Sequence, residues 1–204
     1  MNKIKNALNW FFRSFIWLFA LLLIADIVTK LVFSLTMNEG DYYQIIPGFL
    51  RIRLSFNANA AFGMGFTTPE VNRVIYIIIA IIGTGIILYF YVRKFKKLNL
   101  YVRACLMLML TGAIGNLIDR LFYVQSNFCV VDWIDFCGIW AYIFNLADSG
   151  IVVGTIMLII WLIIEEVKEY KAQKALEPKV EGKLISKTEQ EQIDRNKEEE
   201  KVDN

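Results

Sequence analysis

The fold is decided by the stretch from Val74 to Val92, which reads VIYIIIAIIGTGIILYFYV and contains no charged side chain. A helix needs roughly 20 apolar residues, at about 1.5 Å each, to cross a hydrocarbon core about 30 Å thick. Three further stretches qualify, at about 15–33, 104–123 and 144–164. We therefore predict an all-α polytopic membrane protein with four transmembrane helices.

The composition agrees with a membrane protein and limits its chemistry. Hydrophobic residues make up 56% of the 204 residues, more than a soluble domain of this size can bury. Histidine is absent, which removes the usual general base of serine and cysteine hydrolases and a common ligand of zinc and copper. The three cysteines lack C-x-x-C spacing, so we expect no metal site and no cofactor. Cys129 and Cys137 could pair outside the membrane.

The positions of Lys and Arg predict the orientation, because basic residues near helix ends are retained in the cytoplasm. They are dense at the N-terminus, in residues 93–103 and at the start of the tail, and we place these segments inside. The loop at about 34–73 has only three arginines, and the loop at about 124–143 has neither Lys nor Arg. We therefore predict that both loops face outward and both termini are cytoplasmic.

The two outer loops differ in pattern. Residues Leu50 to Asn57 alternate apolar and polar, which predicts a half-buried strand and a small extracytoplasmic β-sheet. The aromatic-rich loop at 124–143 is expected to lie along the interface as a partly helical flap. We divide the chain into a membrane core, residues 1–165, and a charged cytoplasmic tail, residues 166–204, with no catalytic role.

Polar and ionisable side chains inside the predicted helices need a reason, since each costs roughly 2.5–3.5 kcal/mol on insertion scales. Given the predicted orientation, they fall toward the outer ends of three helices and converge at one depth. They are Asp26 and Lys30 in the first helix, Asn116, Asp119 and Arg120 in the third, and Asn145, Asp148 and Ser149 in the fourth. These residues could instead have structural roles. Asp26 with Lys30 and Asp119 with Arg120 could form ion pairs, and the asparagines could form hydrogen bonds between helices.

Small residues next to this polar cluster predict close helix packing. Gly112 and Gly115 lie on the same stripe as Asn116 and Asp119, while Gly150 and Gly154 have small-xxx-small spacing below Asp148. The polar cluster is therefore expected in the protein interior and not in lipid.

Two carboxylates could meet at the outer membrane surface, namely Asp132 in the second outer loop and Asp148 near the start of the fourth helix. Carboxylates held together in a partly desolvated site share one proton. The ionised carboxylate can take a proton from water while the other polarises a scissile carbonyl, as in aspartic proteases. From spacing alone, Asp135 could replace Asp132.

Other functions use the same residues. Intramembrane Asp, Lys and Asn also line the pathways of small transporters and proton relays, although such a pathway should be polar across the whole membrane. A protease with Lys30 as base and Ser149 or Ser55 as nucleophile is also possible, but Asp26, one turn away, would keep Lys30 charged.

Five motifs resemble the lipoprotein signal peptidase (signal peptidase II) family and occur in its order. The family patterns are D-x-x-T-K, N-x-G-A-A-F, G-N-x-x-D-R, V-V-D and F-N-x-A-D-S. The matching segments here are Asp26–Lys30 (DIVTK), Asn57–Gly63 (NANAAFG), Gly115–Arg120 (GNLIDR), Val130–Asp132 (VVD) and Phe144–Ser149 (FNLADS). Asn59 stands where the family has glycine, so a positive φ is expected there.

The resemblance implies that Asp132 and Asp148 are the catalytic dyad, in place of Asp135. It further implies that some residues shape or support the site and that Asp26 and Lys30 hold the first helix. The supporting residues are Asn57, Asn116, Asp119, Arg120 and Asn145. The implied substrate is a prolipoprotein with a diacylglyceryl-modified cysteine, cut just before that cysteine. We expect a monomer in the bacterial cytoplasmic (inner) membrane, in contact with membrane lipids, with its active site toward the outer face and with no nucleic-acid partner.

Overall fold

The computed structural model describes residues 2–59, 65 and 67–202, which form helices joined to one small sheet. The chain divides into two compact units, Met1–Leu158 and Ile159–Asn204. In chain order the elements are α1 (Asn2–Ser14), α2 (Ile16–Thr36), β1 (Tyr42–Ile46), β2 (Leu50–Asn57), α3 (Pro69–Lys94), α4 (Leu100–Phe122), a 3-10 helix (Val124–Ser126), β3 (Val130–Asp135) and α5 (Leu146–Val202).

Among the described residues, four helices are long and apolar enough to cross a membrane, which agrees with the predicted number of spans. They are α2, α3, α4 and the first part of α5, Leu146–Lys174. The helices begin and end at other residues than the apolar runs, because polar residues cap the helix ends. The helix α3 begins at Pro69, five positions before the apolar run, because proline suits the first helical turn. At the start of α4, the Asn99 side chain accepts a 2.8 Å hydrogen bond from the Val102 backbone amide.

The sheet is antiparallel, with β2 between β1 and β3. The predicted strand at Leu50–Asn57 is confirmed, and β1 is its hairpin partner. The second outer loop is helical only over Val124–Ser126, because its Val130–Asp135 segment pairs with β2 as a third strand. Leu54 and Val131 are buried between the sheet and the end of α2, so the strand alternation is driven by a small apolar core.

The helices α4 and α5 approach closely along the predicted glycines. A methyl carbon added to Gly112 would collide with the carbonyl oxygen of Ala147. One added to Gly150 would lie 2.8 Å from the carbonyl oxygen of Leu108. Backbone therefore meets backbone here, and this contact fixes the position of the first turns of α5 against α4.

The helix α1 and the helical form of the tail lie outside the predictions. The helix α1 precedes the first span and is separated from α2 by Phe15, whose φ is +58°. The Tyr91 hydroxyl donates a 2.5 Å hydrogen bond to the buried carbonyl of Ser14, which ties this junction to α3. The polar tail continues α5 as a helix to Val202. Cys129 and Cys137 are free thiols, so the pairing that the sequence allowed is absent.

Candidate active site

Asn145 connects the two aspartates that the sequence predicts as a pair. Its side-chain amide donates a 2.7 Å hydrogen bond to Oδ1 of Asp132 on β3. Its backbone amide donates a 3.3 Å bond to Oδ2 of Asp148, and its Oδ1 accepts a 2.8 Å bond from the Asp148 backbone. This reciprocal pattern is a capping box at the start of α5. One residue thus contacts both carboxyl groups.

Asp132 is only 2% exposed. The Asn57 side-chain amide, at the end of β2, donates a 3.0 Å hydrogen bond to its Oδ2. Burial, followed by the nearby negative charge of Asp148, raises the pKa of Asp132 to about 8, although the hydrogen bonds from Asn57 and Asn145 act in the opposite direction. This carboxyl group therefore holds a proton at neutral pH.

Asn116 on α4 fixes the other side of the pair. Its Oδ1 accepts hydrogen bonds from Lys30 Nζ at 3.2 Å and from the Asn145 side chain at 3.1 Å. Because an ammonium group can only donate, this oxygen must face Lys30, and the amide nitrogen is directed to Asp148. The resulting hydrogen bond to Asp148 Oδ1 is 2.7 Å long.

Lys30 lies between two buried carboxylates, Asp26 at 2.7 Å and Asp119 at 2.8 Å. The predicted Asp26–Lys30 pair is present. The expected Asp119–Arg120 pair is wrong, because adjacent residues on a helix point in different directions and Asp119 faces α2. Two negative neighbours keep Lys30 an ammonium ion, which disfavours its use as a base.

These two carboxylates also hold the backbone next to the predicted dyad. Asp26 Oδ1 accepts a 2.9 Å hydrogen bond from the backbone of Ala147, which precedes Asp148. Asp119 Oδ2 accepts a 3.3 Å bond from the backbone of Val131, which precedes Asp132. The Lys30 cluster thus joins α2 and α4 to both elements that carry the dyad.

Arg120 supports the turn after β2. It donates hydrogen bonds to the carbonyl oxygens of Asn59, at 2.9 Å, and Asn116, at 3.2 Å. The Asn59 backbone in turn donates a 2.9 Å bond to Asn57 Oδ1, so the amide nitrogen of Asn57 faces Asp132. The expected positive φ at Asn59 is wrong, since this residue is not among the described non-glycine residues with positive φ. Residues 60–63 of the motif lie outside the described residues.

The alternative residues have other partners. Asp135 Oδ2 is 2.6 Å from Arg51 Nε and 4.0 Å from Arg53 Nη1. The Ser149 hydroxyl donates a 2.9 Å hydrogen bond to the Asn145 carbonyl within the first turn of α5. Ser55 lies opposite Asp132 in the sheet register.

Two residues near the site were missed by the sequence predictions. Asn72 is 1% exposed and donates a 3.1 Å hydrogen bond to the Asn59 side chain. Arg73 donates a 2.8 Å bond to the carbonyl of Arg120 and lies 3.7 Å from the centre of the Phe128 ring. The sequence feature that could have indicated them is a polar pair near the start of α3, a helix that is otherwise apolar. Within the described part of the chain, no three His, Cys, Asp or Glu side chains are grouped to hold a metal ion.

Comparison with known proteins shows the family of the chain. The family model described as Signal peptidase (SPase) II matches residues 18–164. A lipoprotein signal peptidase of Fusobacterium nucleatum subsp. nucleatum is 37% identical over 146 residues, covering 72% of this chain and 84% of that protein. One from Staphylococcus haemolyticus is 39% identical over 150 residues, covering 70% and 85%.

Solved structures of bacterial membrane enzymes are similar in fold. A bacterial membrane enzyme determined by the in meso method at 2.3 Å resolution has a TM-score of 0.66 and 34% identity, covering 74% of this chain and 88% of that one. A second, at 1.9 Å resolution, has a TM-score of 0.61 and 34% identity, covering 72% and 90%. The chain therefore belongs to the signal peptidase II family of aspartic membrane proteases.

Proposed function

We propose that this chain removes the signal peptide from diacylglyceryl-modified prolipoproteins by cleaving just before the lipidated cysteine, with Asp132 and Asp148 as the catalytic dyad. The observation that carries the assignment of the dyad is the bridge through Asn145, which contacts both carboxyl groups. Asp135 is the weaker candidate, because Arg51 already pairs with it.

The roles of the two aspartates follow from their surroundings. With a pKa of about 8, Asp132 holds the shared proton at neutral pH and donates a hydrogen bond to the scissile carbonyl. Asp148, which is partly exposed, is the ionised partner and takes a proton from the attacking water. The tetrahedral intermediate then breaks down as Asp148 gives this proton to the leaving amine nitrogen, the C–N bond breaks and the carbonyl re-forms as a carboxylic acid.

The remaining predicted residues position this pair. Asn57, Asn116 and Asn145 donate hydrogen bonds to the two carboxyl groups, while Arg120 holds the turn that orients Asn57. Lys30, Asp26 and Asp119 hold the segments that precede the dyad. Catalysis by positioned charges requires such support, because a displacement of about 1 Å can cost roughly 100-fold in rate.

The test is cleavage of a diacylglyceryl-modified prolipoprotein by the purified chain in detergent. Asp132→Asn and Asp148→Asn should each lower kcat/KM by about 100-fold to 10,000-fold, since each removes a proton-transfer group. Circular dichroism and thermal unfolding establish that the variants are folded. Full activity in either variant removes that residue from the dyad.

Asp135→Asn is the matched control, because it makes the same chemical change three positions away on β3. It should retain activity within a few-fold. A loss equal to that of Asp132→Asn would instead favour Asp135 as the partner of Asp148. The same prolipoprotein without its diacylglyceryl group tests substrate choice, and we expect it to remain uncut.

The proposed setting is the bacterial cytoplasmic membrane, with a monomer whose active site is toward the outer face and whose termini are cytoplasmic. The distribution of Lys and Arg supports this orientation. The core at 1–165 carries the reaction, and the tail at 166–204 has no catalytic role. Thiol labelling in intact cells tests the sidedness, and a chain ending at Lys174 tests the tail. All the relatives named above are peptidases, so nothing favours a transporter or proton relay.

A further inference from the structure

The helix α1 is amphipathic, and its apolar face is exposed. Ile4, Leu8, Phe11 and Phe12 follow the i, i+4, i+7, i+8 spacing of one helix face. Their exposed fractions are 68%, 52%, 39% and 59%. The opposite face is polar and carries Asn6, Asn9 and Arg13. An apolar face of this size at the entrance to a membrane span needs an apolar partner.

Contacts join α1 to the loop between α3 and α4. The Trp10 ring lies 6.3 Å from the Phe95 ring, measured between centroids. The Arg103 guanidinium lies 4.0 Å from the centre of the same Phe95 ring and donates a 3.3 Å hydrogen bond to the Arg13 carbonyl. The helix and the loop therefore form one surface.

All the charged side chains of that surface are basic. No Asp or Glu occurs in residues 1–25 or 74–118. The same segments contain eight cationic side chains, which we name the basic cluster: Lys3, Lys5, Arg13, Arg93, Lys94, Lys96, Lys97 and Arg103. Apart from the partly buried Arg103, these side chains are exposed. A charge of one sign that is not neutralised within its own segments attracts anions of the opposite sign.

We propose that α1 and the basic cluster form a docking surface for anionic phospholipids. The apolar face of α1 inserts beside the acyl chains, and the basic cluster binds the phosphate headgroups. The membrane is the occupant because α1 is followed directly by the span α2, which places it at the bilayer boundary. The family match covers residues 18–164, so α1 lies outside the matched region, and the role proposed for it does not depend on the proposed dyad.

The first experiment measures the depth of α1 in the full chain. A nitroxide label is attached through Leu8→Cys on the apolar face or Asn9→Cys on the polar face, with Cys105→Ala, Cys129→Ser and Cys137→Ser removing the native thiols. Nanodiscs contain either phosphatidylcholine alone or equal parts of phosphatidylcholine and phosphatidylglycerol. In the anionic discs, the label at 8 should collide mainly with oxygen and the label at 9 mainly with a water-soluble nickel chelate.

The second experiment tests the charge. Lys3→Gln combined with Lys5→Gln should weaken the phosphatidylglycerol-dependent insertion of the label at 8 by roughly tenfold. Lys171→Gln combined with Lys174→Gln makes the same charge change on α5 and should leave the insertion of α1 unchanged. High salt should weaken insertion in the unmodified chain, since headgroup contacts are screened.

Three results would overturn the proposal. Equal exposure of both labels to the nickel chelate in anionic discs would show that α1 does not insert. Equal insertion of α1 in discs with and without phosphatidylglycerol would show that headgroup contacts do not contribute. Protection of the label at 8 from both reagents, with spin–spin broadening between chains, would identify a second copy as the occupant. Cleavage of substrate in detergent by each variant establishes that the core is folded.

Discussion

The side-chain amide of Asn145 donates a 2.7 Å hydrogen bond to the buried carboxyl group of Asp132. Because Asn145 is also the N-cap of α5, the same residue sets the first turn of the helix that carries Asp148. The strand and the helix are thereby positioned relative to each other by one amide.

Asn145→Ala should lower kcat/KM by roughly 100-fold, because it removes this bond and the cap together. The measurement is steady-state cleavage of lipidated prolipoprotein. Gln173→Ala truncates an exposed amide on α5 and serves as the control, with unchanged activity expected. Wild-type rates in Asn145→Ala would mean that the amide does not position the dyad.

The activity should fall as the pH rises above about 8. Burial and Asp148 raise the pKa of Asp132 from 3.8, so the proton is present up to about pH 8 and is lost beyond it. Without this proton both carboxyl groups are ionised and neither can donate to the carbonyl. The measurement is kcat/KM from pH 5 to pH 10, with thermal unfolding followed over the same range.

Asn57→Ala tests whether Asp132 is the group that sets the alkaline limb of the pH profile. The Asn57 hydrogen bond lowers the pKa of Asp132, so its removal should move the alkaline limb of the profile to higher pH, even though the rate at the optimum also falls. A limb that stays in place would assign it to another group.

Lys30→Met should lower the free energy of unfolding by about 3–5 kcal/mol, because it leaves two buried carboxylates without their cation. Lys168→Met breaks the exposed pair with Glu165, which is also 2.7 Å long, and should cost less than about 1 kcal/mol. Thermal unfolding in detergent compares the two. Equal melting temperatures would show that the Lys30 cluster does not hold the helices together.

Gly112→Ala should lower stability by about 1–3 kcal/mol and reduce cleavage, because the added methyl group collides with Ala147 beside Asp148. Gly83→Ala, in α3, has no atom within 4 Å of the added carbon and should be neutral or slightly stabilising, since alanine favours helix. Similar melting temperatures and rates for the two variants would contradict the close approach of α4 and α5.

The spans and the central strand could be predicted because their signals are local. An apolar run such as Val74–Val92 or an alternation such as Leu50–Asn57 can be recognised without knowledge of the rest of the chain. The convergence of polar residues from three helices near Asp148 could also be predicted, since ionisable groups inside a membrane require partners.

The missed features depend on residues distant in sequence. The strand β3 forms because β2, about 75 positions earlier, offers a free edge to Val130–Asp135. Asp119 pairs with Lys30 instead of Arg120 because the packing of α2 against α4 decides which side chain is within reach. The helix α1 was missed because its 13 residues are too short to span a membrane, and its basic residues were used only to predict the orientation.

The order of these elements along the chain has a consequence for biosynthesis. Asp132 is translated before the last span, but the amide that aligns it and the second aspartate both belong to the start of that span. A nascent chain that has inserted only α2, α3 and α4 therefore lacks Asn145 and Asp148, and with them half of the proposed dyad. With the proposed dyad, we expect activity to begin only when α5 packs against the glycines of α4, so that the unfinished enzyme does not cut neighbouring proteins during insertion.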